Sequence, residues 1–196
     1  FNATDVPNLS QTTVTSVMFW DATNFNSDIS NWDMSNVSDA WGMFRGASSF
    51  NQPLNSWDVS ANVRFWRMFE GASSFNQPLN SWNVSSGQEF AEMFHNAASF
   101  NQPLNSWDVS QALYMDDMFR GSNLSEENYS DILINWAALP SLQNNVTLGA
   151  QNTTYAQTAT SARQFLIDTY NWTINDGGLY VEPGSQKFIT KWDTTL

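Results

Sequence analysis

The chain has 196 residues, and its 41% hydrophobic content is enough to bury the core of one sizeable domain. Seven Lys and Arg oppose nineteen Asp and Glu, and the resulting formal charge of −12 disfavours binding to nucleic acid and anionic membrane surfaces. The absence of Cys excludes disulfides, thiolate catalysis and Cys-ligated zinc.

One sequence block recurs with a period of 25 residues. Phe50, Phe75 and Phe100 each begin the block Phe-Asn-Gln-Pro-Leu-Asn-Ser-Trp-(Asp or Asn)-Val-Ser, and a degenerate copy covers residues 25–35. A Met-Phe pair recurs in phase with the block, and its Met residues are Met18, Met43, Met68, Met93 and Met118. Five coils, complete or partial, are therefore predicted to stack.

Each coil is predicted to contain a short strand and a short helical turn. Leu54, Trp57 and Val59 have the L-x-x-L-x-L spacing that places a strand along one face of a leucine-rich repeat. Residues 68–72 follow as a helical turn that Gly71 closes in a left-handed conformation. The fold class predicted from these features is an α/β repeat solenoid of short leucine-rich-repeat-like coils.

Stacked coils bring equivalent residues about 4.8 Å apart, the spacing of neighbouring strands. Identical Asn side chains are then expected to form rows in which each amide donates to the next carbonyl oxygen along the stack. One row comprises Asn51, Asn76 and Asn101, and another comprises Asn55, Asn80 and Asn105.

The period stops after Gly121, and the rest of the chain is predicted to form a C-terminal α+β cap. Ser125 is expected to cap a helix that runs through Ala137 and ends before Pro140. A second helix is predicted over residues 161–170, with Phe165, Leu166 and Tyr170 facing inward. Residues 175–178 are predicted to form a turn between short strands.

These features predict three segments. Residues 1–124 form the solenoid of about five coils, residues 125–178 form the capping segment, and residues 179–196 form an exit strand or linker to a following module. The cap is needed because the last coil of a solenoid otherwise exposes an apolar end.

The repeat blocks carry a family resemblance. The blocks at Phe50, Phe75 and Phe100 alternate with the motif Met-Phe-x-(Gly or Asn)-Ala. Together these elements resemble the BspA-like leucine-rich-repeat surface proteins. That group was first catalogued as a domain of unknown function in mycoplasma lipoproteins. The resemblance covers about residues 18–124. It implies a cell-surface or secreted location and a role in adhesion, without naming a ligand.

Two further stretches resemble segments found in the same group of proteins. Residues 128–129 and 139–144 look like the segment that follows these repeats, and residues 188–192 resemble the opening of a next module. The resemblance therefore implies that the chain is part of a larger multidomain protein.

A seven-residue window differs in sequence from coil to coil, while the residues on either side of it are nearly identical. In every coil the window also departs from the segment Asn-Val-Thr-Asn-Met-Ser-Gly that is typical of the family. These variable windows are residues 36–42, 61–67, 86–92 and 111–117. One apolar position in each window is predicted to point inward, and these residues are Ala40, Phe65, Phe90 and Met115.

The other varied positions are expected to face solvent side by side and to bind a ligand. They are Asp39, Trp41, Arg64, Trp66, Arg67, Glu89, Glu92, Tyr114, Asp116 and Asp117. Trp, Tyr and Arg dominate interface hot spots, which favours a protein or peptide partner. Trp and Tyr rings also stack on sugars, so a glycan would use the same residues. Two alternatives are neutral drift on an unconstrained surface and burial against the cap or a neighbouring module.

Two other sets of residues are candidate chemical sites. His95 is the one histidine, and it is interpreted as an exposed member of a row near Glu70 rather than as a base or ligand. A row of Asp33, Asp58 and Asp108 could hold Ca²⁺, but turn capping is the commoner use of Asp at such positions. No cofactor, metal site or catalytic residue is therefore predicted.

The favoured functional prediction is an extracellular or cell-surface adhesion module, not an enzyme, that binds a protein or peptide on another cell or matrix. The alternatives are a carbohydrate-binding module that uses exposed Trp and Tyr, and a passive spacer in a large surface protein. Neither nucleic-acid binding nor direct membrane insertion is expected.

Overall fold

The computed structural model describes residues 6–182. Its helices and strands all lie after the repeats. They are α1 (Glu126–Ala137), β1 (Thr147–Ala150), α2 (Thr160–Tyr170) and β2 (Thr173–Asp176), and a 3-10 turn, Gln157–Ala159, leads into α2.

The repeats consist of turns and single β-bridges, with no helix or strand assigned between residues 6 and 125. The strand expected over Leu54–Val59 and its equivalents is therefore wrong. A turn bends the backbone there, because the Trp57 N–H donates to the Leu54 carbonyl at 3.0 Å. The bridges lie instead in the variable windows, where a row of parallel single-residue bridges joins Val14, Asp39, Arg64, Glu89 and Tyr114.

Backbone hydrogen bonds along the Met-Phe segment join each coil to the next. The N–H groups of Arg67, Phe69 and Gly71 donate to carbonyl groups of the following coil at 3.0, 2.9 and 2.8 Å. The N–H groups between them, those of Met68 and Glu70, donate to carbonyl groups three residues earlier. This alternation satisfies the buried backbone without a helix, so the helical turn expected over residues 68–72 is also wrong.

Two residues in each coil adopt a left-handed backbone conformation. The left-handed exit expected at Gly71 is confirmed, with φ of 68°. The first set of these residues directly precedes each Met-Phe pair, which is the last position of each variable window, and the second set follows the pair. The two sets are Val17, Gly42, Arg67, Glu92 and Asp117, and Asp21, Gly46, Gly71, Asn96 and Gly121.

The core consists of columns in which like aromatic rings stack from coil to coil. The ring centroids of Phe65 and Phe90 are 5.1 Å apart, those of Phe44 and Phe69 are 5.5 Å apart, and those of Phe50 and Phe75 are 5.9 Å apart. In the Trp column, Trp57 and Trp82 are 6.5 Å apart. Neighbouring rings in these four pairs are therefore 5.1–6.5 Å apart.

Side chains bridge the coils in the repeat block. No backbone hydrogen bond joins one coil to the next within residues 51–60 or 76–85, which accounts for the missing strand there. The Trp82 indole Nε1 donates to the Leu54 carbonyl of the preceding coil at 2.8 Å. Trp57 and Trp107 make the equivalent hydrogen bonds to Ile29 and Leu79.

The first Asn row bonds differently from the expectation. The backbone N–H of Asn76 donates to the side-chain oxygen of Asn51 at 3.0 Å, and Asn101 bonds Asn76 in the same way. The amide-to-amide ladder is wrong, because each Asn side-chain oxygen accepts instead from the backbone N–H of the equivalent Asn in the next coil.

The second Asn row is also not a ladder of amides. The Ser81 hydroxyl donates to the Asn55 side-chain oxygen at 2.6 Å, and Ser106 makes the corresponding contact with Asn80 at 2.5 Å. Ser, one position after each Asn, therefore takes the role that the sequence had assigned to the next Asn.

Both predicted C-terminal helices are present. Ser125 caps α1, since its hydroxyl accepts from the Asn128 N–H at 3.2 Å, as expected. In α2, Leu166 is buried but Phe165 is 43% exposed, so the inward orientation expected for Phe165 is wrong. Adjacent helical residues point about 100° apart, so Phe165 and Leu166 do not share a face.

The short sheet extends the row of window bridges into the C-terminal segment. β1 and β2 pair in parallel with Thr147 opposite Thr173, and Leu148 of β1 bridges Met115 of the last coil. The turn expected over residues 175–178 is too early, because β2 continues through Asp176.

The segment boundaries at residues 124 and 178 stay a prediction, as does the assignment of the stacked coils to a leucine-rich-repeat solenoid. Leu179 still pairs with Tyr155 of the C-terminal segment. The resemblance at residues 188–192 falls outside the described residues. None of the helices in residues 6–182 has the length and apolar character needed to cross a membrane.

Candidate functional site

The variable windows of successive coils lie next to one another. Their backbones are bridged in the row Asp39, Arg64, Glu89 and Tyr114. The position expected to point inward does so, because Ala40 is 1% exposed and its equivalents Phe65, Phe90 and Met115 are fully buried. Every candidate site residue is at least partly exposed. We call the surface formed by these candidate residues the window face.

Aromatic rings form the central column of the window face. Trp41 and Trp66 stack with centroids 5.6 Å apart and planes at 25°. Trp20 adds an edge-on contact to Trp41 at 5.9 Å. The Arg45 guanidinium lies 4.1 Å from the Trp20 ring centroid. Trp20 and Arg45 lie outside the variable windows, and no spacing in the sequence linked them to this column.

Alternating charges run beside the aromatic column. Arg64 lies between two carboxylates, with Nη1 3.1 Å from Asp39 Oδ2 and Nε 3.4 Å from Glu89 Oε1. The hydrogen bond to Asp39 and the nearby Glu89 charge raise the pKa of Arg64. Because the Arg64 side chain is 54% exposed, these ion pairs orient the charges more than they stabilise the fold.

Asp39 anchors its window to the preceding coil. Burial raises the pKa of the Asp39 carboxyl, but hydrogen bonds from the Ser16 hydroxyl at 2.6 Å and the Trp41 N–H at 3.1 Å, together with Arg64, outweigh it and lower the pKa. The carboxylate is therefore held ionised and fixed in position.

A second row of alternating charges is formed by side chains at or next to the left-handed residues. Arg45 contacts Glu70 at 2.6 Å, and Arg67 contacts Glu70 at 3.4 Å and Glu92 at 2.8 Å. His95 Nδ1 lies 3.6 Å from Glu92, and its side chain is 20% exposed, so it is more buried than expected, but its expected position near Glu70 is confirmed. Burial raises the pKa of Glu92, but the Arg67 hydrogen bond and charge outweigh it and lower the pKa.

One group of side chains has the geometry to hold a metal ion. Glu70, Glu92 and His95 can each bring one ligand atom within 4.8 Å of the others. Arg45 and Arg67 already compensate both carboxylates, so a cation there would compete with two guanidinium groups.

The Asp row at the repeat block caps turns. Asp58 Oδ1 accepts from the Ser60 N–H at 3.0 Å and from the Ser60 hydroxyl at 2.6 Å. Asp33 does the same with Ser35, and the Ser hydrogen bonds lower the pKa of both carboxyls. Each carboxylate is directed at its own turn, which favours capping over the calcium site that the sequence left open.

Two open grooves lie side by side on the window face. The Arg64 groove has a volume of about 270 Å³ and is lined by Asp39, Trp41, Arg64, Trp66 and Glu89. The Ala91 groove has a volume of about 400 Å³ and is lined by Trp66, Glu89, Ala91, Glu92, Tyr114 and Asp116. Trp66 and Glu89 form the wall that the two grooves share.

Arg67 and Asp117 are the two candidate residues that line neither groove. The Arg67 guanidinium lies 4.8 Å from the Trp66 ring centroid and pairs with Glu92, so it supports a groove wall. Asp117 pairs with Arg120 at 3.2 Å. Ala91 is the groove residue that the sequence analysis did not predict. Its position in the repeat could have indicated it, because Ala91 aligns with Trp41 and Trp66 of the preceding windows.

Comparison with known proteins gives one finding. No curated protein and no solved structure matches the chain. The family model described as Mycoplasma protein of unknown function, DUF285, matches residues 13–136, which is more than half of the chain. The matched range covers the coils and most of α1. The chain therefore belongs to the DUF285 family of Mycoplasma proteins of unknown function.

Proposed function

We propose that this chain is a ligand-binding module that mediates adhesion at the cell surface, and that it binds a protein or peptide through the window face. The observation that carries the proposal is the alignment of four unlike windows, joined coil to coil, beside two open grooves. Flanks that are nearly identical between the coils, with varied, adjacent and solvent-facing windows, are what a modular binding surface requires.

The chemistry of the window face favours a protein or peptide ligand. Trp, Tyr and Arg are enriched at hot spots because they bury large areas and also make directed polar contacts. Trp41 and Trp66 support each other by stacking, and Arg64 is held between two carboxylates. Since these side chains are ordered before a ligand arrives, binding loses less conformational entropy.

The proposal extends to the class of fold, the group of proteins and the location. The stacking of the coils supports a repeat solenoid of the leucine-rich-repeat kind, with helices and strands confined to the C-terminal segment, and the repeat blocks support membership of the BspA-like surface proteins. The chain would then act outside the cell as a non-enzymatic part of a larger multidomain protein. Its partner would be an extracellular protein or peptide on another cell or on matrix.

A carbohydrate ligand is the second candidate. The stacked pair Trp41 and Trp66, beside Asp39 and Arg64, offers an aromatic platform with polar groups that could bond hydroxyls. The specific observation in its favour is the Arg64 groove, which places both kinds of group in one opening. A third reading, a passive spacer, requires no ligand at all.

Single substitutions of the two stacked Trp residues test the proposal. Trp41→Ala and Trp66→Ala should each reduce binding of the chain to cells and to an array of extracellular matrix proteins by tenfold or more, the scale of a hot-spot loss. The matched control is Phe165→Ala, because Phe165 is an exposed aromatic on α2, away from the windows. This variant should bind as the wild type does.

The outcomes separate the three candidates. Binding to a glycan array that both Trp substitutions abolish would select the carbohydrate module instead. If the Trp variants bind cells, matrix proteins and glycans no differently from the wild type, the chain is a spacer and the proposal fails.

A further inference from the structure

We propose that the Ala91 groove is a cation subsite that takes an Arg or Lys side chain from a basic peptide segment of the partner. This inference rests on the proposed function, and it specifies the chemistry of the ligand. Three features of the groove carry it: the end of the Trp column, the sign of the lining charges, and an unpaired carboxylate.

The groove opens where the aromatic column stops. Trp41 and Trp66 occupy the same position in successive windows, and Ala91 and then Asp116 occupy it in the next two. A methyl group in place of an indole leaves a volume of about 400 Å³ between Trp66 and Tyr114. The opening therefore has aromatic side chains at its edge, and a cation over the face of Trp or Tyr is attracted by the ring.

The charges that line the Ala91 groove are all negative. They come from Glu89 and Glu92, which already pair with Arg64 and Arg67, and from Asp116; neither Arg lines the opening. The neighbouring Arg64 groove differs in this respect, because Arg64 itself is part of its lining. The chain as a whole carries a formal charge of −12, which adds long-range attraction for a basic partner.

Asp116 is the carboxylate of the windows that is left without a partner. Asp39 and Glu89 contact Arg64, and Glu92 contacts Arg67. Asp117 contacts Arg120. The exposed Asp116 side chain makes no hydrogen bond or ion pair with any residue from 6 to 182. A cationic ligand would supply the missing contact, and a charge-assisted hydrogen bond is about twice as strong as a neutral one.

In the adjacent Arg64 groove, a guanidinium group of the chain itself already makes the contacts proposed here for the ligand. There the chain's own Arg64 guanidinium bonds Asp39 at 3.1 Å and lies 3.4 Å from Glu89, next to the Trp41 and Trp66 stack. One coil further on, the aromatic and acidic groups recur without the guanidinium. A ligand side chain of the same chemistry would complete the pattern.

The test uses short Gly-Ser peptides that differ in one central residue: Arg, Lys, Gln or Glu. Binding is followed by NMR titration of the Trp indole N–H signals of the whole chain, which detects weak complexes. The Arg and Lys peptides should shift the Trp66 signal and should bind at least about tenfold more tightly than the Gln peptide, the size of one charge-assisted hydrogen bond. The Glu peptide should not bind.

Two variants of the groove have matched controls. Ala91→Trp continues the existing Trp column into the groove and should abolish Arg-peptide binding, whereas Ala61→Trp, at an exposed window position that lines neither groove, should leave it unchanged. Asp116→Lys places a cation in the groove at an exposed residue with no partner to lose, and it should also abolish binding. Asp131→Lys, on the exposed side of α1, makes the same change in net charge and should not.

Different failures have different meanings. If the Trp66 signal responds equally to the Arg and Gln peptides, or if Asp116→Lys binds the Arg peptide normally, the cation subsite is refuted. The adhesion proposal would survive that result as long as Trp66→Ala still reduces binding to cells or matrix proteins.

Discussion

Arg163 of α2 holds Asp176 of β2 with two hydrogen bonds, from Nε to Oδ2 at 2.8 Å and from Nη2 to Oδ1 at 3.1 Å. The Tyr129 hydroxyl of α1 donates to the same Asp176 Oδ2 at 3.1 Å. The Asp176 side chain is only 2% exposed, so one carboxylate joins both helices to the sheet inside the C-terminal segment.

Removal of this carboxylate should destabilise the C-terminal segment. Asp176→Ala leaves Arg163 without its ion pair and Tyr129 without its acceptor, and the free energy of unfolding should fall by about 3 kcal/mol. The matched control is Asp168→Ala, since the Asp168 side chain is exposed on α2 and, among residues 6–182, bonds only Gln164; it should change stability by less than about 0.5 kcal/mol. Urea denaturation followed by Trp fluorescence measures both. Equal losses in the two variants would show that Asp176 is not the link described above.

Tyr129 should make the protein sensitive to alkali. Burial, and then the Asp176 charge and hydrogen bond, raise the pKa of the Tyr129 phenol well above its usual value of 10.0. Above pH 10 the unfolded chain loses this proton while the folded chain keeps it, so the unfolded state binds fewer protons and stability falls as pH rises. The slope from one proton is at most about 1.4 kcal/mol per pH unit.

The check is the urea midpoint measured at several pH values from neutral to above pH 10. Tyr129→Phe should be less stable than the wild type at neutral pH because it loses a hydrogen bond, and it should show a shallower decline in alkali. Tyr114→Phe, at an exposed Tyr, should keep the wild-type slope. A wild-type slope in Tyr129→Phe would assign the alkaline sensitivity to other groups.

The Trp column of the repeat block should be sensitive to loss of its indole N–H. Trp82→Phe removes the hydrogen bond to Leu54 and part of a buried ring, and it should lower the free energy of unfolding by about 2 kcal/mol. Trp41→Phe is the control, because its ring is partly exposed and its Nε1 makes no hydrogen bond to residues 6–182. Thermal denaturation should show a clearly larger loss for Trp82→Phe, and similar losses would contradict a stabilising role for the indole hydrogen bond.

The sequence predicted two local features of the repeats correctly. The inward position of Phe65 and the left-handed Gly71 both follow from local chemistry repeated at a fixed spacing, and the structure confirms both. The adjacency of the windows follows from the same period. The cap of α1 at Ser125 was predictable because a polar N-cap before two acids is a strong local signal.

The errors come from features that depend on how adjacent coils pair. The strand expected at Leu54–Val59 assumed backbone pairing through the repeat block, whereas side chains join the coils there, as in the hydrogen bond from Trp82 Nε1 to the Leu54 carbonyl. The Ala91 groove was missed for a related reason. A small residue gives no signal of its own, and a groove is visible only when its large neighbours are placed.

Acid should weaken the contact between the first two windows. The hydrogen bonds of Asp39 lower its folded pKa against the opposing effect of burial, so the ionised carboxylate contributes stability above the unfolded pKa. That contribution is lost as pH falls through roughly pH 4 toward the lower folded pKa. Asp39→Asn should therefore lose stability at neutral pH and show a smaller further loss in acid. Asp131→Asn should follow the wild-type profile in a urea titration, and an identical profile for Asp39→Asn would contradict the prediction.

Gly149 of β1 should be the most demanding glycine of the C-terminal segment, because it packs directly on the last coil. A Cβ at Gly149 would lie 2.1 Å from the Asp117 backbone nitrogen and 2.5 Å from the Asp117 Cα, so one backbone must move away from the other. That movement would break the hydrogen bonds from Phe119 N–H to the Gly149 carbonyl at 2.8 Å and from Gly149 N–H to the Met115 carbonyl at 3.1 Å. We expect Gly149→Ala to lower the free energy of unfolding by more than about 3 kcal/mol, the upper range for overpacking of a well-packed site.

Gly71→Ala provides the comparison, since the nearest neighbour of its added Cβ would be 3.7 Å away. The loss of stability there comes only from the left-handed backbone and is about 1–2 kcal/mol. Hydrogen exchange of the β1 amides should increase in Gly149→Ala and stay protected in Gly71→Ala. If the amides of β1 stay protected in both variants, the short sheet does not depend on its close approach to the fifth coil.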